Sequence, residues 1–225
     1  MKSRVWGGGM RRYVIPRLPG EWDVASRSGR FLYRRPANWL ACCVTLGGSN
    51  FSTAFDAKYL VVLLAKPDDG VTGRWQYFKS LGDIHPYWPA PAPTSVEEAE
   101  GPMLEILDLI RDQALPYFDR FGTLATFAPL VEADAAQRPE NFHFQEELFC
   151  LQVIRGDLEA AVRTADVAES AARDDGSDWA LAVGRRVRQN AEAIRRDPAS
   201  GIRLMRAQVE HTRSHLGITP DDFAM

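Results

Sequence analysis

The run Lys58-Tyr59-Leu60-Val61-Val62-Leu63-Leu64-Ala65-Lys66 constrains the fold of this chain more than any other segment. In an extended strand successive side chains point to opposite faces. Tyr59, Val61 and Leu63 then fall on one side and Leu60, Val62 and Leu64 on the other, so the strand is apolar on both. Neither side is suited to water, and such a strand belongs at the centre of a sheet covered above and below. Pro67-Asp68-Asp69-Gly70 ends it with turn chemistry.

The preceding residues supply partners for that strand. Residues 21–66 have strand character throughout. Arg30-Phe31-Leu32-Tyr33-Arg34 predicts an opening strand, Pro36-Ala37-Asn38 a turn, and Trp39 to Leu46 a second strand. Gly47-Gly48-Ser49-Asn50 is the turn before the apolar run. Strands joined by connections this short favour an antiparallel meander. Trp75-Gln76-Tyr77-Phe78 is a candidate further strand, and the Pro-rich, aromatic segment 83–93 predicts an extended loop.

From Ser95 onward the period changes to that of helices. Ser95 and Glu98 have capping-box spacing. Met103, Ile106, Leu107 and Ile110 make an amphipathic stripe, which Pro116 ends or kinks. A short helix is expected around Leu124 to Glu132, then helices over Glu146–Ile154 and Leu158–Arg173, one from Ser177 or Asp178 to Arg196, and a last one carrying Ile202, Met205, Val209 and His215. The apolar face of the Ser177–Arg196 helix reads Trp179, Val183, Val187 and Ile194. The turn Gly156-Asp157-Leu158-Glu159-Ala160-Ala161 resembles one unit of a tetratricopeptide helix pair. No second copy follows, so a local helical hairpin is the reading. The expected class is α+β: an antiparallel sheet of three to five strands packed with helices, followed by a C-terminal helical hairpin array. Residues 1–20 read as a flexible basic tail, residues 21–135 as the α+β domain and residues 136–225 as the helical region. Met10 is an alternative start.

Charge is uneven along the chain. Residues 1–35 carry nine Lys/Arg against two Asp/Glu, whereas residues 36–150 carry seven against sixteen. The basic N-terminus suits either an anionic partner or plain solvation. The three cysteines, Cys42, Cys43 and Cys150, form no disulfide framework and fit a reducing, cytoplasmic compartment. No apolar window reaches the length of a membrane span, and the N-terminus lacks the apolar stretch of a secretory signal.

Catalytic motifs are missing from the reading. Gly7-Gly8-Gly9 does not follow a strand and lacks the Lys-Ser/Thr of a phosphate loop, so it reads as part of the tail. His211 and His215 share a helix face but are two ligands where zinc needs three or four. Glu97-Glu98, Asp68-Asp69, Asp174-Asp175 and Glu146-Glu147 read as caps, turns and solvated faces, and Cys150 as a buried small hydrophobe. No cofactor or metal is expected. Arg185, Arg188, Arg195 and Arg196 share one helix face, a pattern that suits phosphate, but acids on the same helix favour a solvated face over nucleic-acid binding.

The most suggestive segment is aromatic. Trp75, Tyr77, Tyr87 and Trp88 lie close together in sequence, with Phe78 and His85 among them, and pairing of the first strands would bring Arg34, Arg35 and Trp39 near. Aromatic rings beside arginines are typical of binding surfaces, while the plainer reading makes these rings a lid over one sheet face. The leading expectation is a non-enzymatic interaction protein holding a protein or small ligand through Trp75, Tyr77, Tyr87 and Trp88, with Arg34 or Arg35 pairing with an acidic group. The alternative is an enzyme with a site at the sheet–helix seam using His85 or a carboxylate.

Phe31-Leu32-Tyr33-Arg34-Arg35-Pro36, the strand Tyr59 to Leu64, and Ala114-Leu115-Pro116-Tyr117-Phe118 together resemble an uncharacterised bacterial family of the domain-of-unknown-function type. The resemblance spans about residues 20–135. It implies an N-terminal sheet with an arginine-containing strand, then a helix ending in a leucine-proline-aromatic turn and a helical tail. Its context implies a bacterial, immunity-like role.

Overall fold

A computed structural model describes residues 1–27, 29–48, 54–67, 77–82, 88 and 91–220. The fold is α+β, with an N-terminal antiparallel sheet and a C-terminal helical array. The chain divides into two compact units. The first holds Met1–Val62, Tyr77–Thr123 and Arg213–Met225, and the second Leu63–Gln76 and Leu124–Thr212. Each unit is thus assembled from separated stretches of chain, which a linear division at residue 135 does not describe.

The sheet of the first unit has five strands in sequential order: β1 (Glu21–Val24), β2 (Phe31–Arg35), β3 (Leu40–Gly48), β4 (Phe55–Leu63) and β5 (Phe78–Ser80). β1 pairs antiparallel with β2, setting Trp22 opposite Arg34, and β2 with β3, setting Tyr33 opposite Cys43. β4 pairs with β5, Tyr59 opposite Lys79. β4 is buried at every position except the half-buried Lys58, as a strand apolar on both sides demands. The strand predicted at Trp75 is described only from Phe78 onward; Trp75 and Gln76 lie outside the described residues.

Register decides which side chains share a face. Trp22, Arg34 and Tyr59 meet the helix α3 (Leu115–Phe121): the Trp22 and Tyr59 rings lie 6.2 and 6.3 Å from Phe118, and Arg34 pairs with Asp119 at 3.0 Å. On the other face the Tyr33 hydroxyl accepts a hydrogen bond from the Thr219 N–H at 3.0 Å, so the chain beyond α8 covers that side. α8 is Ser200–Leu216, and its buried Arg213 donates to the carbonyls of Ala37 and Asn38.

The helix α2 (Glu100–Leu109) does not stop at the predicted proline. A wide π turn, Ile110–Ala114, joins it to α3, and the Leu115 N–H donates to the Ile110 carbonyl. In a regular helix Pro116 would strike the carbonyl one turn back and leave it unpaired; the wider turn relieves that conflict. The predicted capping box is shifted by one residue. Ser95 Oγ accepts from the Glu98 N–H, but the Glu98 carboxylate accepts from the N–H and hydroxyl of Thr94.

The N-terminal segment is a correction to the sequence reading. Residues 1–20 are not a solvated tail: α1 (Ser3–Gly9), a π turn (Met10–Val14) and a 3-10 turn (Ile15–Arg17) pack into the first unit. Trp6, Met10 and Val14 are fully buried. Glycines are poor helix formers, costing roughly 1 kcal/mol each relative to alanine, yet three end α1, and at two of them a larger residue would collide with a neighbour. A Cβ on Gly8 would stand 2.6 Å from Val96 Cγ2, and one on Gly9 2.8 Å from Met103 Cγ. The triplet that reads as flexibility is a close helix-to-helix approach.

The second unit is an array of helices: α4 (Leu124–Gln137), α5 (Phe142–Arg155), α6 (Leu158–Asp175), α7 (Asp178–Arg196) and α8 as far as Thr212. Their boundaries follow capping chemistry. Asn141, Asp157 and Ser177 accept N-cap hydrogen bonds, and Gly156 and Gly176 end helices at φ 80° and 73°. Trp179 departs from the expected core face. It is 37 % exposed and its ring stacks on His143 at 4.4 Å. Val183, Val187 and Ile194 are buried as predicted.

Replacing Trp6 by Ala is expected to cost about 3–5 kcal/mol in urea unfolding, the range for deleting a large buried ring. A cost near zero would restore the tail reading.

Candidate functional site

α3 presents two sides. Phe118 points into the sheet and is buried, while Tyr117 and Phe121, four residues apart on one helix face, are half-buried. Tyr117 meets Tyr59 edge-on at 5.3 Å and Phe121 at 4.9 Å, forming a row of rings that starts on β4 and ends at the helix terminus. Cations lie against this row. Lys79 Nζ sits 5.5 Å from the centre of the Tyr117 ring, and the Arg120 guanidinium 4.9 Å from that of Phe121. The exposed Arg34–Asp119 pair borders it. Cation–π contacts at exposed positions contribute roughly 0.5–1 kcal/mol each.

Beneath these groups lies Cys42. A Cβ on Gly122, at the end of α3, would stand 2.9 Å from its sulfur. Burial pushes the Cys42 thiol up to about 12, with Arg34 pulling it down and Asp119 pushing it up. Burial also raises the thiols of Cys43 and Cys150. None of the three has the lowered value of a reactive cysteine.

The sequence-derived site is only partly brought together. Arg34 lies at the α3 face, whereas Arg35 alternates to the other side of β2, and Trp39 is half-buried in the turn before β3. Tyr77 and Trp88 are interior, 7 % and 8 % exposed. Trp88 stacks on Phe55 with ring centres 5.3 Å apart and donates its indole N–H to Glu105 on α2 at 2.8 Å. Its backbone N–H donates to the Phe55 carbonyl, so it acts as an added rung on β4. For these two rings the accessible-surface expectation is corrected, because the chain itself covers them. Trp75, Tyr87 and His85 lie outside the described residues.

Sequence reasoning missed Tyr117, Phe121, Lys79 and Arg120 as neighbours. The Leu-Pro-Tyr-Phe turn was visible, but only the packing of α3 on β4 and β5 joins it to Lys79.

It also misjudged Glu146 and Glu147. Neither is solvated: both are buried on α5, their side chains 3 % and 5 % exposed. Adjacent on a helix, they diverge by about 100° and reach different partners. Glu146 accepts from Arg186 Nε of α7 at 3.1 Å, and Glu147 is 3.4 Å from Lys66 Nζ. The Cys150 thiol, one turn on, donates to the Ala65 carbonyl at 3.6 Å. Burial raises the Glu147 carboxyl above its ordinary value, opposed by Lys66 and reinforced by Glu146 and Asp134. A perturbed carboxyl such as that of Glu147 attracts a catalytic reading. Enclosed as they are, these two serve better as paired interior ions that fix how α5, α7 and the Lys66 segment pack.

Of the α7 arginines that share the predicted basic face, two are paired with acids. Arg188 reaches Glu192 and Glu169, Arg195 reaches Asp166, and Arg196 donates to the Glu192 carbonyl. Among the described residues no cluster of three or more metal-ligating side chains occurs, and no helix is long and apolar enough to cross a membrane.

The chain matches no protein-family model, and neither curated proteins nor solved structures show a significant similarity to it.

A raised carboxyl in the folded state means that the native protein holds a proton the unfolded chain has already released. As pH climbs above the ordinary value of 4.5, Glu147 therefore subtracts stability. Urea unfolding across this window is expected to show Glu147→Gln gaining on the wild type as pH rises. A constant difference between the two would remove the assignment.

Proposed function

We propose that this chain is a non-enzymatic interaction protein that holds a protein partner at the α3 face, with Tyr117 and Phe121 as apolar anchors and Arg34 and Arg120 pairing with acidic groups of the partner. The observation that carries this reading is the pair of half-exposed rings, Tyr117 and Phe121, lying against each other with cations over their faces. Aromatic and arginine side chains dominate the energetics of protein interfaces, and rings already held by neighbours lose little freedom on binding. Tyr77 and Trp88 support the surface from within rather than touching the partner. Trp75, Tyr87 and Trp39 stay with the proposal on sequence grounds alone, and Arg35, on the other side of β2, drops out of it.

A cytoplasmic setting agrees with three free, buried cysteines. The resemblance to an uncharacterised bacterial family favours an immunity-like role, in which one partner is recognised and held. The enclosed Glu146 and Glu147 favour this over the enzyme reading, since a general acid or base must come within hydrogen-bond reach of its substrate.

The test places a photo-crosslinking residue at position 120 in cells of the native source and identifies the protein captured. Combining Tyr117→Ala with Phe121→Ala is expected to weaken the purified complex roughly 30-fold or more, the effect of losing about 2 kcal/mol at a hot spot. Trp179→Ala, another exposed ring, is expected to leave it unchanged. Equal affinity of the folded double variant and the wild type would overturn the proposal.

A further inference from the structure

The basic N-terminal stretch is not absorbed by the α3 face. Of its nine cations, Arg12 is paired with Glu97, Arg34 with Asp119, and Arg17 donates to the Tyr13 carbonyl. Lys2, Arg4, Arg11, Arg27 and Arg30 are all exposed. Among the described residues, Lys2, Arg4, Arg11 and Arg27 form no ion pair.

Packing gathers these five. Arg4, Gly7 and Arg11 are three and four residues apart, which puts them on one face of α1 and its continuation. Gly7 is the contact point of that face with the β1–β2 connection. A Cβ there would lie 3.4 Å from Val24, 3.5 Å from the Gly29 carbonyl and 3.6 Å from an Arg11 nitrogen. Arg30 Nε donates to Ser3 Oγ at 3.2 Å, setting Arg30 beside the start of α1. The Gly29 N–H donates to the Ala25 carbonyl, turning the connection that carries Arg27 and Arg30; Gly29 and Arg30 lie against Ser3 at the start of α1, and Arg27, two residues earlier, packs beside Gly217. The apolar residues of these elements face inward: Val5, Trp6, Val24 and Phe31 are all buried.

We propose that Lys2, Arg4, Arg11, Arg27 and Arg30 form a binding surface for the phosphate backbone of a nucleic acid.

Three classes of anionic partner compete for such a patch, and its composition separates them. A protein interface needs an apolar core inside its polar rim. A membrane-bound surface usually adds apolar side chains that enter the lipid boundary. Here both are lacking in the patch, because its rings and aliphatic groups are turned into the first unit. A phosphate backbone is held by cations alone, through release of its counterions, and arginine forks match phosphate oxygens two at a time. Contacts to the phosphate backbone alone carry no base information, so binding through them would be insensitive to sequence.

Fluorescence anisotropy with a labelled DNA duplex and a labelled single-stranded RNA tests this in the full chain. Binding is expected at about 50 mM salt, weakening so that log K falls against log salt with a slope of about −4.5 for the duplex, as five phosphate contacts require. Combining Arg4→Glu with Arg27→Glu, neither of which holds a structural hydrogen bond, is expected to cut affinity at least about tenfold and shrink the slope by about 2. Arg163→Glu with Arg185→Glu, exposed positions in the second unit, is expected to keep both within twofold. Absence of binding to either nucleic acid, or an equal loss in the two double variants, overturns the proposal. So does binding only to phosphatidylserine vesicles or only to polyglutamate, which would assign the patch to a membrane or to an acidic protein.

Discussion

Everything in the first unit answers to the burial of β4 on both faces. A strand with Phe55, Ala57, Tyr59 and Val61 on one side and Leu60 and Val62 on the other has no face to give to water. Sheet neighbours satisfy its backbone but not its side chains. Those need whole elements laid across the sheet, and the chain finds them far away in sequence: α3 against Tyr59 and the Trp88 ring against Phe55. Each such ring removes roughly 150–250 Å² from water, about 4–6 kcal/mol as an upper bound. The C-terminal segment serves in the same way against Tyr33 on the opposite face.

That requirement shapes the surfaces available for binding. A helix packed on a sheet shows the sheet one stripe, and what it shows outward is free for other uses. On α3, Phe118 goes in while Tyr117 and Phe121, at the edges of the buried stripe, stay half-covered. They are held rigidly by the contacts that the core demands. On α1 the glycines go in because only a bare backbone approaches Val96 and Met103 so closely, and the arginines are left outside by default. The anchors at one surface and the cations at the other are by-products of the same covering.

Polar groups that enter the interior follow a different rule. Trp88 keeps its indole N–H satisfied by Glu105, and Glu146 and Glu147 each keep a cation. An unpaired buried ion costs several kcal/mol, so these partners restrict the packing to arrangements that bring them together. The raised carboxyl of Glu147 shows that desolvation outweighs the attraction of Lys66. The pair therefore contributes more to choosing one arrangement than to net stability.

Local chemistry was enough to set the class and most of the elements. The meander, the turn at Gly156-Asp157, the cap at Ser177 and the stop at Asp197-Pro198 are all decided within a few residues, and each was legible in the chain. Side-chain environment was not, because it depends on what arrives from elsewhere. Gly7-Gly8-Gly9 looks flexible until α2 is beside it, Glu146-Glu147 looks solvated until Lys66 and Arg186 meet it, and Trp88 looks like a binding ring until Phe55 and Glu105 enclose it. The row from Tyr59 through Tyr117 to Phe121 joins residues about sixty positions apart, and no spacing in the sequence predicts it. Hydrophobic period and capping act over one or two turns of chain, so sequence settles most of the secondary structure. Burial is a property of the assembled layers, and only tertiary packing assigns it.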